Sequence, residues 1–166
     1  LVIPAHQLLP FVRAVEAGAD LALNDYSGPT ATAEVHNVVL AKHALNIMLG
    51  RPDLQGASPT AVPHALSRRA LSILGAETLS VPPVALAMAI THGLNVIRSA
   101  PVNVRLLNPV RRKSRRKAPD PLEQVVFGDH LEAIDWLHRH AGLRGGFGED
   151  GRNRGKAGWK TSETKR

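Results

Sequence analysis

The chain has no cysteine among its 166 residues, so disulfides and thiolate zinc sites are excluded and the fold must rest on packing alone. Aromatic residues make up 4% of the sequence, too few to supply stacking platforms for nucleic-acid bases. Long apolar runs are also missing. The longest, Val81 to Ile90, is about half of the roughly 18 residues that cross a bilayer, and it contains Pro82 and Pro83. No basic flank and apolar stretch of a signal peptide opens the chain, and no P-loop, dinucleotide fingerprint, metalloprotease motif or repeat occurs. These absences set the expectation of a soluble, cytoplasmic or membrane-peripheral protein.

What is present is an apolar fraction of 43% in a chain the size of one domain, enough for a core. The net charge of +7 is local. Residues 111 to 117 carry six Lys or Arg without an acid, and residues 142 to 166 carry seven basic and three acidic residues, which leaves −3 for the remainder. Charge of this kind marks exposed segments rather than a basic fold. The expected organisation is an α/β domain over 1–141 and a Gly-rich basic tail over 142–166, which has too little apolar material to order itself.

Hydrophobic periodicity and punctuation divide the domain. Leu1-Val2-Ile3 has the composition of the end of a buried strand, and with no initiator Met before it the chain reads as the later portion of a longer one. A helix from Pro4 to Gly18, with Pro10 in its first turn, and a strand over Asp20 to Asp25 would complete a right-handed parallel crossover. Tyr26 to Thr30 is a turn cluster, Ala33 to Leu49 a long helix, and Arg51 to Pro63 a loop. A helix from His64 stops at Gly75, and a second, apolar helix stops at Gly93. Strands are expected at Leu94 to Ile97 and Val102 to Leu107, and a last helix from Pro121 to about His140, capped by Asp120 and ended by Gly142.

The stretch from His64 to Ile97 resembles the acceptor-side half of family 2 glycosyltransferases. There a pair like Ser67-Arg68 opens a helix ending as at Leu74-Gly75, and a strand like Gly93-Leu94-Asn95-Val96 follows the next helix. The resemblance covers about residues 1 to 140. It implies a partial three-layer GT-A-like fold with a mixed, mostly parallel sheet, and inverting sugar transfer from a nucleotide-sugar donor to an acceptor hydroxyl. It implies further that a magnesium or manganese ion serves the full-length enzyme, with the Asp-x-Asp that holds it upstream of residue 1 and no metal ligands in this portion.

In that family the base is an acid near the helix start that follows a Gly75-like stop, where this chain has Val81-Pro82-Pro83; Glu77 is the nearest carboxylate and the first candidate base. Asp25, at the expected carboxyl end of a parallel strand, is the second. His64 and Arg68, at the mouth of the central unit, and Asp129 and His130, in a Gly-Asp-His that some bacterial relatives share, are candidates for substrate binding. Each has a plainer reading, as a solvated loop acid, a turn former, a surface arginine or a packed histidine. A different class of function, a non-enzymatic module binding nucleic acid or an anionic membrane surface through residues 111–117, is the alternative. Nucleic acid is the weaker of those two partners because no aromatic residue lies in that segment.

Overall fold

A computed structural model describes residues 2–107, 120–142 and 146. The basic segment 111–117 and nearly all of the expected tail lie outside the described residues. The chain is mixed α/β. Six helices, α1 (Ala5–Glu16), α2 (Asn37–Met48), α3 (Arg68–Thr78), α4 (Pro82–Thr91), α5 (Val104–Leu107) and α6 (Pro121–Ala141), surround strands β1 (Leu21–Leu23), β2 (Ala65–Leu66) and β3 (Val96–Arg98). The strand order is β2-β1-β3, with β1 antiparallel to β2 and parallel to β3.

The sheet is therefore evenly mixed rather than mostly parallel. Val2 is 84% exposed and no described residue before α1 joins the sheet, so Val2 and Ile3 of the expected strand end are not neighbours of β1; Leu1 lies outside the described residues. The reason lies on the other two sides of β1, which β2 and β3 already occupy.

Alternation along β1 sorts the core. Leu21 and Leu23 point to one face, where they meet Leu74 of α3, Leu86 and Ala89 of α4, and Val96 of β3. Ala22, between them, points the other way to Phe11 of α1 and Val102. Helix α4 is apolar all round because both of its sides are covered. Leu86 and Ala89 face the sheet, while Val84 and Ala87 face Leu45 of α2 and Ala133 of α6. The result is a stack of α1, sheet, α4, and then the α2–α6 pair.

Several boundaries depart from the pattern-based expectation, each through a side chain that claims a backbone group. Helix α2 starts at Asn37 rather than Ala33 because His36 acts as its cap, with Nδ1 accepting from the Val38 N–H at 3.3 Å. The segment from His64 is not helical at first. Ala65 and Leu66 pair with Ala22 and Leu21, and the helix begins only after Ser67, whose Oγ accepts from the Ala70 N–H at 3.0 Å. Val102 to Leu107 is not a strand. The Asn24 side chain takes both the N–H and the C=O of Val102, and Asn103 Oδ1 accepts from the Leu106 N–H, which starts the helical turn α5. Pro10 lies inside α1 rather than in its first turn, so His6 has no N–H donor four residues ahead.

The glycine stops hold. Gly75 interrupts α3 with φ 73° and ψ 158°, a conformation that a Cβ disfavours, and Asp120 Oδ1 caps α6 by accepting from the Leu122 N–H.

Asp20 ties the start of β1 to its neighbours. It is 5% exposed and accepts from Ser67 Oγ at 2.8 Å, Arg69 at 2.8 Å and the Asn95 N–H at 3.0 Å. The Asn95 bond, followed by Ser67 and Arg69, holds its carboxyl below the ordinary 3.8 against the opposing effect of burial. Because the folded value is the lower one, the stability it contributes is present above 3.8 and is lost as pH falls through the folded value. Asp20→Asn is expected to cost about 1–3 kcal/mol at neutral pH and to flatten the acid limb of a stability–pH curve measured by urea unfolding. An unchanged acid limb would show that Asp20 is not a main source of it.

Candidate functional site

The carboxyl ends of the parallel pair β1 and β3 are held by one buried side chain. Asn24 is 0% exposed; its Nδ2 donates to the carbonyls of Val62 and Val102 at 2.7 and 2.9 Å, and its Oδ1 accepts from the Val102 N–H at 2.9 Å. Asp25 follows, paired with Arg98 at the end of β3 at 3.0 Å, and its N–H donates to the Ala100 carbonyl. The chain then leaves the sheet as the 26–36 segment and crosses the start of α2. Gly28 there has φ +90°, and a Cβ on it would stand 2.7 Å from Val39 Cγ2, so the segment lies against α2 as closely as glycine allows.

Between this segment, α2 and the first turns of α6 is a pocket of about 610 Å³. Val38, Val39, Leu122 and Val126 supply its apolar walls, and Glu34, Asp120 and Glu123 bring carboxyls to its lining. His36 bridges the segment to α6. Its Nδ1 is occupied by the Val38 N–H, so the Nε2–H faces Glu123 Oε2 at 3.2 Å. Lys42 also lines the pocket, and it is the unusual member. It is 6% exposed, its ammonium donates to the Tyr26 carbonyl at 3.3 Å, and no carboxylate among the described residues pairs with it. Burial pushes its pKa down from 10.5 to about 8.

Behind Lys42 a second buried layer joins α2 to α6 and the 55–60 loop. His130 is 0% exposed. Its Nδ1 lies 2.6 Å from the Val126 carbonyl, an acceptor, so Nδ1 carries the proton and Nε2 faces the Ser58 hydroxyl at 3.4 Å. Burial, and after it the Lys42 charge, outweigh the Val126 bond and hold this imidazole below its ordinary 6.5; burial and Lys42 do the same to His43. Asn46 donates to the carbonyls of Gln55 and Ala57. The charge of Lys42 therefore acts on two buried imidazoles, while no carboxylate among the described residues forms an ion pair with it.

None of the six residues singled out in the sequence lines this pocket. Asp25 comes nearest, one residue before the wall. Glu77 is exposed at the end of α3, where its carbonyl accepts from Ser80. Arg68 is exposed at the start of α3, and its neighbour Arg69 is the one that finds a carboxylate, Asp20. His64 stands before β2, its pKa lowered chiefly by burial and its Nδ1 buried without a hydrogen-bond partner among the described residues. Asp129 lies half-buried on α6, its carboxyl pushed up by burial, and His130 is turned into the core. Gly128 beside them is exposed, with nothing within 4 Å of a Cβ, so no backbone packs closely there.

Lys42 went unremarked in the sequence although its signal was there. It occupies the apolar stripe of α2, three residues after Val39 and three before Leu45, where a lysine must be buried or must bend its helix face toward solvent. No group of three or more His, Asp or Glu side chains among the described residues comes together as a metal site. No described helix is long and apolar enough to cross a membrane. In comparisons with known proteins, no family model, no curated protein and no solved structure matches the chain.

Proposed function

We propose that this chain is the acceptor-side part of a nucleotide-sugar glycosyltransferase with a partial GT-A-like fold, acting on an acceptor hydroxyl with inversion at the sugar carbon. The observation that carries the reading is the position of the pocket. It begins where the chain leaves the carboxyl end of β1, a strand with a parallel neighbour, which is where open α/β sheets hold their ligands. The His64–Ile97 pattern supports the family part. Ser67 caps α3, Gly75 breaks it, and Gly93 takes φ 68° before β3, so three residues of the resemblance have structural tasks.

In this reading the pocket receives the acceptor, and Asp25, one residue before the pocket wall and paired with Arg98, is the candidate to take the proton of an attacking hydroxyl presented at that edge. Glu77, exposed and away from the pocket, is the lesser candidate. The donor diphosphate and its cation belong to residues other than those described here. The test is an assay of the longer enzyme of which this chain would be a part, with UDP- and GDP-sugars and magnesium or manganese. Hydrolysis or transfer is expected; no turnover with any common donor would overturn the reading. The alternative, nucleic-acid or membrane binding through 111–117, rests on residues outside those described, and no structural observation favours it.

A further inference from the structure

We infer that the pocket beside α2 selects a small polyhydroxylated acid, whose carboxylate or phosphate is bound by the Lys42 ammonium at the buried end while its hydroxyls meet the carboxyls of Glu34 and Glu123. The inference rests on the acceptor role proposed above for this pocket and names the acceptor's chemical class.

The argument begins with an imbalance of charge. An ammonium 6% exposed is costly unless a partner offsets its lost hydration, and proteins almost always supply a carboxylate. Here the described residues supply the Tyr26 carbonyl and nothing of opposite charge. The acids were available. Glu34, Asp120 and Glu123 all line the same pocket, yet Asp120 caps α6 and Glu123 is turned to His36. The fold thus keeps the cation and the acids of the pocket apart, and a ligand with one oxyanion and several hydroxyls satisfies both at once. Hydroxyls donate to carboxylates, and an oxyanion accepts charge-assisted bonds from an ammonium.

A plain nucleotide diphosphate fits less well, because several charges would face the carboxyls of the lining. A purely neutral sugar fits less well too, since it leaves the ammonium without an oxyanion.

Tyr26, Glu34, His36, Asp120 and Glu123 line the pocket with Lys42, and His43 on its own helix and His130 from α6 feel its charge. His43 and His130 are held below 6.5, so neither titrates on the alkaline side where the lysine loses its charge.

The test is calorimetric titration of the full chain with glycerate, inorganic phosphate and uncharged glycerol, at about pH 6.5 and about pH 9.5, on either side of the lysine's titration. Glycerate keeps one charge at both, so its response reports the protein alone. Saturable binding of glycerate or phosphate is expected at the lower pH, weaker by about tenfold or more at the higher pH and in Lys42→Met, with glycerol binding no better than the variant. The stronger of the two anions identifies the acid as carboxylate or phosphate. Lys42→Gln is a second variant, and a folded Lys42→Gln or Lys42→Met that binds glycerate and phosphate as well as the native chain would overturn the inference. So would glycerol binding equal to glycerate. Anion binding of the expected kind, together with no turnover of any common donor by the longer enzyme, would leave the site standing and remove the glycosyltransferase reading. Transfer to neutral acceptors alone would do the reverse.

Discussion

Lys42→Met is expected to raise the stability of the protein by roughly 3 kcal/mol at neutral pH, the amount that a depression of its pKa from 10.5 to about 8 represents. The sign follows from proton counting. Below about pH 8 the lysine is charged in both folded and unfolded chains, and the folded chain bears the full cost of burying it. Between about 8 and 10.5 the unfolded chain binds the proton and the folded chain does not, so stability of the native protein rises with pH across that window. Urea unfolding of both proteins from pH 7 to 10 checks this. The native curve should climb and the methionine variant should lie above it at pH 7 and approach it at the alkaline end. A variant less stable than native by more than about 1 kcal/mol would mean that the protein itself compensates the charge, and the ligand argument would lose its premise. Stability gained with binding lost is the pattern of a residue retained for function.

The second large effect is expected at Asn24. Truncation to alanine removes three hydrogen bonds at once and leaves the Val62 carbonyl and the Val102 N–H without their partner beside a side chain that is 0% exposed, while the Val102 carbonyl keeps the Val104 N–H. Each buried group left unpaired costs about 1–3 kcal/mol, and partial relaxation brings the expected total to about 3–5 kcal/mol. Asn24→Asp separates this cause from lost packing. It keeps the shape and the acceptor for the Val102 N–H but sets a carboxylate against two carbonyls, so it should be at least as destabilising near neutrality and should recover part of the loss as pH falls and the acid is protonated. Equal, pH-independent losses in both variants would indicate that shape, not hydrogen bonding, is what Asn24 provides. Because Asn24 also aims the chain into the 26–36 segment, a folded variant should bind acid ligands less well even though Asn24 does not line the pocket.

Periodicity and punctuation carried the helices well. Phe11 on the apolar face of α1, the apolar run that became α4, the Asp120 cap of α6 and the glycines at 75, 93 and 142 are local signals, and local physics decided them. The strands were harder. Leu21 to Leu23 was readable because leucines flank a small residue, but Val102 to Leu107 alternates like a strand and is not one. Its outcome depended on a side chain 78 residues earlier in the chain taking the Val102 backbone, which no local window contains. The mixed direction of the sheet likewise turned on which segment reached each edge of β1, a choice made by packing at a distance.

The candidate site shows the same division. The sequence by itself determined that the chain is an α/β protein without cysteine chemistry, with helices stopped by glycine, and with a lysine set in the apolar stripe of α2. Tertiary structure alone decided that this lysine has no carboxylate partner among the described residues, that His130 turns inward to Ser58 while Asp25 turns to Arg98, and that the 26–42 stretch and the distant start of α6 enclose one pocket. The physical reason is that charge and hydrogen-bond partners are chosen in space. Composition fixes which groups must be satisfied, and only packing fixes which of them meet.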